Sequence, residues 1–478
     1  MEVLSALQPR AVFHYFEELC AIPHGSGNTK AVSDWCAAFA RARGLEYHQD
    51  ALNNIIIIKE AAPGYEGAEP VILQGHLDMV CEKEPGCPKD LEREGLDLEV
   101  GGGFVTARGT TLGGDDGIAV AMALALLDAR DIPHPRLEVV LTVDEEVGML
   151  GAAALDVSPL RGRTLINLDS EEEGVFTVSC AGGNRTECIL PVKREPFSGT
   201  VLTVTVGGLT GGHSGTEIHR GRANANVLLG RCLRAVSART ELRLGEAAGG
   251  SKDNAIPTAS VALVAADAGA VQAVCAEMDA AFKKEYRVND PAITVSARPA
   301  ESSLLPMDEA SSRSAVCLLA CLPNGIQAMS ADMPGLVQTS LNLGILTTGD
   351  DAVHASFSVR SSVATQKQML IDRLRCLTES LGGSVSTHGE YPGWEFMPQS
   401  PLRDLMVQVF TDQYGYAPKV EAIHAGLECG LFSAKLPGLD CVSFGPDLKE
   451  IHTFRESLSV SSVQRVYAMV VETLKRMH

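Results

Sequence analysis

Residues 71–80, VILQGHLDMV, decide the reading of the fold. A short apolar run that breaks off at His76 and Asp78 is the pattern of a buried strand leaving a sheet at its carboxyl end. Two further runs repeat it: LEVVLTVDEE at 137–146 ends in Glu145 and Glu146, and TLINLD at 164–169 ends in Asp169. In an open α/β sheet, ligands bind in the crevice outside the carboxyl ends of the strands. Side chains that follow three separate strands can therefore meet. Between the first two runs lies LGGDDG at 112–117, an acidic, glycine-rich turn opening an apolar helix over 117–129. The last candidate, His452 in EIHT at 450–453, follows a strand at 441–444 and the loop Gly445-Pro446-Asp447.

Outward from this centre, helical periodicity over 9–43 is interrupted by IPHGSG at 22–27, and strands are expected at 54–59, 70–74, 137–143 and 164–168. Strands alternating with helices imply an α/β fold, a mixed sheet covered by helices on both faces. Near residue 193 the texture changes. VLTVTVGG, ASVALVAA, AITVSARPA, LVQTSLNLGIL and HASFSVRSS read as strands, with helices near 223, 270–284, 311–322 and 366–381. This stretch reads as consecutive α+β units ending at YPGW, 391–394, after which helix 401–414, strand 441–444 and helix 461–477 resume the α/β pattern. The expected organisation is a catalytic domain in two parts, 1–190 and 396–478, interrupted by an inserted α+β lid domain over 191–395.

Composition narrows the function classes. The 478 residues suggest two or three domains at ~150 residues each, and 45% hydrophobic content excludes wholesale disorder. With 40 Lys+Arg against 60 Asp+Glu the net charge is −20, and no basic patch interrupts it. Such a surface repels phosphate backbones, so nucleic acid is excluded as a partner and small peptides or metal cations are favoured. Apolar runs such as 55–58 and 118–127 fall far short of the ~20 residues that span a bilayer, and the N-terminus lacks the charged and apolar regions of an export signal. No membrane partner is expected. Thirteen cysteines form no CxxC pair, and Cys36, Cys317, Cys321 and Cys376 lie within apolar runs. Packing thiols in a reducing cytoplasm explain them better than disulfides.

The residue types at the strand ends carry chemistry. Imidazole and carboxylate suit a borderline divalent cation, and two cations ~3.5–4 Å apart need a carboxylate that bridges them. His76 and Asp78, two apart on a strand, share a face, as a carboxylate that orients a metal-binding histidine requires. Adjacent Glu145 and Glu146 can divide labour between proton transfer and metal binding. Each piece alone has a plainer reading. Asp115 or Asp116 could cap the helix, Asp169 heads an acidic surface run, and the acidic DEE triplet could open a helix. The glycines at 101–103 lack the rest of a phosphate-binding loop. It is the conjunction of five suitable side chains at strand ends that points to a metal centre.

Taken together, GHLDMV, TTLGGDDGIAVA, DEEVGMLGA, INLDSEEEG, SCAGG, GGHSGTEIHRGRANA, NAIP, YPGW, IHAGLECG and SFGPDLKEIHTFRESL run in order along essentially the whole chain. They resemble the co-catalytic metallopeptidases of the M20 type, and among these the aminoacyl-histidine (Xaa-His) dipeptidases. The resemblance implies two divalent ions, zinc first with cobalt or manganese as alternatives. Asp115 would bridge them, with His76 and Asp169 completing one site and Glu146 and His452 the other. It further implies Glu145 as general base, Asp78 as the group holding the His76 tautomer, and His213 as a lid residue directed at the reacting carbonyl. The implied substrates are Xaa-His dipeptides, β-alanyl-histidine included.

Arg360 is a candidate clamp for a substrate carboxylate, and Asn254, His424 and Glu428 are candidate substrate contacts. His424 and Glu428, four apart, also read as a second metal pair. Asp116 stands where close relatives often carry Asn, and the sequence after His452 lacks their Pro. Two other function classes compete: an M20-type exopeptidase or amidohydrolase for other peptides or N-acyl amino acids, and a metal- or peptide-binding protein without catalysis. Glu145 beside Glu146 argues for an enzyme. The paired lid units imply either a homodimer or its mimicry within one chain.

Overall fold

The computed structural model describes residues 3–478, which divide into two compact units. The first comprises 3–179, 396–422 and 427–478, and the second 180–395 and 423–426.

In the first unit an eight-stranded sheet runs in the order Glu46–Gln49, Ile55–Lys59, Leu137–Thr142, Val71–His76, Thr164–Asn167, Asp440–Ser443, Val175–Cys180 and Lys419–Ile423. Its four central strands, from Leu137–Thr142 to Asp440–Ser443, are mutually parallel, and antiparallel strands flank them. Val71–His76 and Leu137–Thr142 are buried at every position, as expected of parallel strands covered on both faces. The parallel arrangement sends all four carboxyl ends the same way, so Asp78, Glu145, Glu146, Asp169 and the loop to His452 leave from one edge.

Helix Gly114–Asp128 is buried on nearly all sides. Gly117 lets it approach helix Arg10–Cys20, because a Cβ there would stand 2.6 Å from Leu19 and 3.2 Å from Phe16. A four-stranded sheet joins Leu98–Gly101 and Phe104–Ala107 to Ser457–Ser459 and Leu448–Lys449, bracketing the His452 loop.

The second unit contains a nine-stranded antiparallel sheet whose strands include Gly182–Pro191, Thr200–Gly207, Val337–Thr348 and Ala352–Ser361. Helices Ala225–Ser237, Glu309–Cys321 and Ala364–Ser380 share its apolar core, in which Leu229, Leu318, Phe357 and Leu370 are buried. Among the described residues no helix is long and apolar enough to cross a membrane, and all thirteen cysteines are free.

Candidate active site

In the first unit the strand ends bring the expected ligands together. Asp115 Oδ1 lies 3.1 Å from His76 Nε2, and Asp115 Oδ2 lies 3.1 Å from His452 Nε2. On the first side Asp169 Oδ1 stands 3.6 Å from His76 Nε2. On the other, Glu146 Oε2 stands 3.0 Å from His452 Nε2. Ligand atoms of a tetrahedral site with bonds of ~2.1 Å lie roughly 3.4 Å apart, so these spacings suit divalent cations. Two donor groups that could each hold a cation are His76, Asp115 and Glu146, and His76, Asp116 and Asp169. Glu145 belongs to neither.

The electrostatics give the same reading. Burial opposes charge on His76, yet Asp169, Asp115 and Asp78 outweigh it and hold the imidazole well above its usual range. Hydrogen bonds to Asp115 and Glu146 lift His452 to about 10. Burial, reinforced by Asp115 and Glu428, pushes the Asp169 carboxyl up to about 7 against the pull of His76. Burial pushes Glu145 up to about 8, with Asp169, Glu146 and Asp115 adding to the rise against His76. Against burial, His452 and His76 instead hold the Asp115 carboxyl below its usual range, while the acids around it are pushed up, so the site carries more buried carboxyls than its two imidazoles offset. Two divalent ions would relieve it, and the donor set fits them.

The backbone is irregular at two of the candidate ligands. Asp115 departs from helical angles at the start of its helix (φ −82°, ψ 105°), and the Asp115–Asp116 peptide is cis. His452 sits in the left-handed region at φ 59°, a conformation that costs a non-glycine residue ~1–3 kcal/mol and persists where the surroundings over-determine it. Nδ1 of His76 is 2.9 Å from the main-chain carbonyl of Asp78, whereas the Asp78 carboxylate stands 3.5 Å away. That carboxylate instead accepts from Ser26 Oγ at 2.8 Å and the Glu145 N–H at 3.1 Å. Asp78 therefore orients His76 chiefly through its carbonyl and ties the strand end to the Glu145 loop.

Glu428, expected as a substrate contact or half of a metal pair, is fully buried, which speaks against both. It opens helix Glu428–Lys435 in the first unit with no accessible surface, accepting from Gln74 Nε2 at 2.5 Å and Thr142 Oγ1 at 2.7 Å. Burial, with Glu145 adding to it, pushes its carboxyl up to about 8. Gln74 Oε1 in turn accepts from Asn167 Nδ2 at 2.5 Å. Gln74 and Asn167 precede His76 and Asp169 by two residues each, so this network forms a polar layer one step down the strands from them.

Other residues of the site escaped the sequence reading. Asp116, read from sequence as a cap and as a second acid beside Asp115, turns its Oδ2 to the His76 N–H at 3.1 Å and is buried. Burial, then repulsion from Asp169 and Asp115, hold its carboxyl well above the usual range. Burial beside Asp115 pushes Glu171 up to about 7. The Asp115-Asp116 doublet and the acidic run after Asp169 were the available signals. Glu456, buried against the turn before Asp115, had none.

In the second unit His213, Arg360 and His424 surround Gly215. A Cβ on that glycine would meet His424 O at 2.6 Å, His213 Cε1 at 3.0 Å and Arg360 Nε at 3.2 Å. Burial and then Arg360 lower the His213 pKa. Its Nδ1 accepts from the Thr216 N–H at 3.1 Å, which leaves the proton of the neutral ring on Nε2. Burial, Arg360 and His213 lower His424 to about 3, and its Nε2 is 2.7 Å from Ser340 Oγ. Arg360 is buried within strand Ala352–Ser361 and donates to Tyr391 Oη at 3.0 Å, with Nε unpartnered among the described residues. The exposed Asn254 contributes its carbonyl, which accepts from the Ser214 N–H at 2.8 Å beside His213.

This arrangement has relatives along its whole length. The chain is 35% identical over 480 residues to the cytosol non-specific dipeptidase of Escherichia coli (strain K12), covering 99% of each protein. It is similar to the crystal structure of aminoacylhistidine dipeptidase from Vibrio alginolyticus, with a TM-score of 0.95 and 35% identity over 99% of this chain and 98% of the other. Aminopeptidase PepT from Bacillus cereus shares the fold at 15% identity and a TM-score of 0.57 over 98% of both chains. The family model for peptidase family M20/M25/M40 matches residues 72–476, from the strand that ends at His76 to the last helix. Candidate ligands at strand ends, whole-length likeness and family match agree, and the chain belongs to peptidase family M20/M25/M40, a family of peptide hydrolases.

Proposed function

We propose that this peptide hydrolase is a cytoplasmic dinuclear-metal dipeptidase that cleaves Xaa-His dipeptides, β-alanyl-histidine among them. The observation that carries the reading is the placement of Asp115 between His76 and His452, one carboxylate oxygen toward each. His76, Asp115 and Asp169 would hold one ion and Asp115, Glu146 and His452 the other. Bound there, divalent ions, zinc or else cobalt or manganese, supply a Lewis acid for the scissile carbonyl and acidify a water. Glu145, outside both donor groups and raised to about 8, takes the proton of the attacking water and passes it to the leaving amine. His213, neutral with its proton on Nε2, donates to the carbonyl oxygen as charge develops. Arg360, with one buried N–H unpartnered, takes the C-terminal carboxylate of the peptide.

The names of the relatives favour a second reading, since one is a non-specific dipeptidase and the other an aminoacylhistidine dipeptidase. A panel of Xaa-His, Xaa-Xaa and N-acyl amino acid substrates, assayed with metal analysis, separates the two. Preference for Xaa-His supports the narrow reading. Equal turnover of other dipeptides replaces it with the broad one, and hydrolysis confined to N-acyl amino acids overturns both.

A further inference from the structure

Helix Gly114–Asp128 begins without a side-chain cap of its own, since its N-cap is Gly113. The N–H groups at a helix start need acceptors, and here they find one from 341 to 344 residues away. Glu456 Oε2 accepts from the N–H of Leu112 at 2.8 Å and Gly113 at 3.1 Å, while Oε1 accepts from Gly114 at 2.8 Å and Asp115 at 3.4 Å. Glu456 is 3% exposed, and its own N–H donates to the carbonyl of Thr453, the residue after His452. One carboxylate thus joins the backbone that carries Asp115 to the loop that carries His452. Gly114 permits the approach, because a Cβ there would stand 3.2 Å from Glu456 Oε1 and 2.6 Å from Leu448.

We propose that Glu456 is the positioning residue of the metal centre, fixing Asp115 against His452 so that one carboxylate serves both ions. The inference rests on reading Asp115 and His452 as ligands. Removing a negative charge bound by four N–H groups frees the turn, and Asp115 then loses the orientation in which its two oxygens face different histidines.

The test measures the affinity of full-length protein for zinc by chelator competition, in wild type, Glu456→Gln, Glu456→Asp and Asp115→Asn. Glu456→Gln keeps the size but loses the charge and an acceptor, and zinc affinity should fall ~10–100-fold, with activity recovering in excess zinc and KM unchanged. Glu456→Asp, charged but shorter, should fall in between. Zinc affinity within twofold of wild type in Glu456→Gln overturns the proposal even if thermal stability drops, since that is what a purely structural residue would do. Asp115→Asn separates the premises. If it too leaves affinity unchanged, the ligand assignment has failed; if it alone weakens binding, only the positioning role has. Should the Glu456 variants not fold, hydrogen exchange on metal-free wild type decides. The amides of residues 112–115 should be protected, and free exchange there while the adjoining helix stays protected overturns the proposal.

Discussion

Asp115 Oδ2 lies 3.1 Å from Nε2 of His452 across 337 positions of sequence, while its other oxygen faces His76. A shared ligand has an asymmetric signature on removal. Asp115→Asn should lower the bound metal by more than one ion per chain, whereas His452→Ala should remove one ion and leave the His76 side loaded. Elemental analysis after gel filtration distinguishes these outcomes, and loss of a single ion in Asp115→Asn would assign it to one site only.

Glu145 and Glu146 are adjacent, yet only Glu146 joins a donor group. Glu145→Gln should lose ~10²–10⁴-fold in kcat and keep its metal. Glu146→Gln should lose metal first. The reverse pattern would exchange their roles.

His213 presents a single N–H at Nε2 because Nδ1 is occupied by the Thr216 N–H. His213→Ala should lower kcat ~10²–10³-fold at unchanged metal content. Wild-type turnover would remove it from the reaction.

Glu428 is buried, and its pKa rises from 4.5 to about 8. A raised carboxyl pKa means that the folded state binds the proton more tightly than the unfolded chain. Its stability contribution is complete below about pH 4.5 and lost as pH climbs through about 8. In metal-free protein, Glu428→Gln should leave Tm nearly unchanged at pH 5 and raise it by a few degrees at pH 8. Differential scanning calorimetry in chelator reads this, and a drop at pH 8 would mean that the carboxylate is ionised and held by Gln74 and Thr142.

Prolonged dialysis against a chelator should abolish dipeptide hydrolysis, and zinc, cobalt or manganese should restore it. Activity that survives with no metal detectable would end the metal mechanism.

Much of this was legible in local sequence because its cause is local. A run such as VILQGHLD must bury its apolar side chains in a strand, and a parallel sheet delivers the polar residues that follow to one edge. The candidates His76, Asp78, Asp115 or Asp116, Glu145, Glu146, Asp169 and His452 therefore follow from residue type and position, and the α/β class from the alternation of elements, whereas the choice of five ligands and a base among them came from the family resemblance. What only the tertiary structure decided are relations between segments with no local imprint. Glu456 reads as one more acid after His452, and its four N–H partners come from a turn more than 340 residues earlier. Glu428 looked like a residue of a substrate-lining loop until Gln74 and Thr142, on two different strands, closed over it. Asp116 reads as a cap until the backbone at Asp115 turns it toward His76. Hydrophobic periodicity is written residue by residue, whereas the partner of a buried charge is chosen by which distant backbone folds against it.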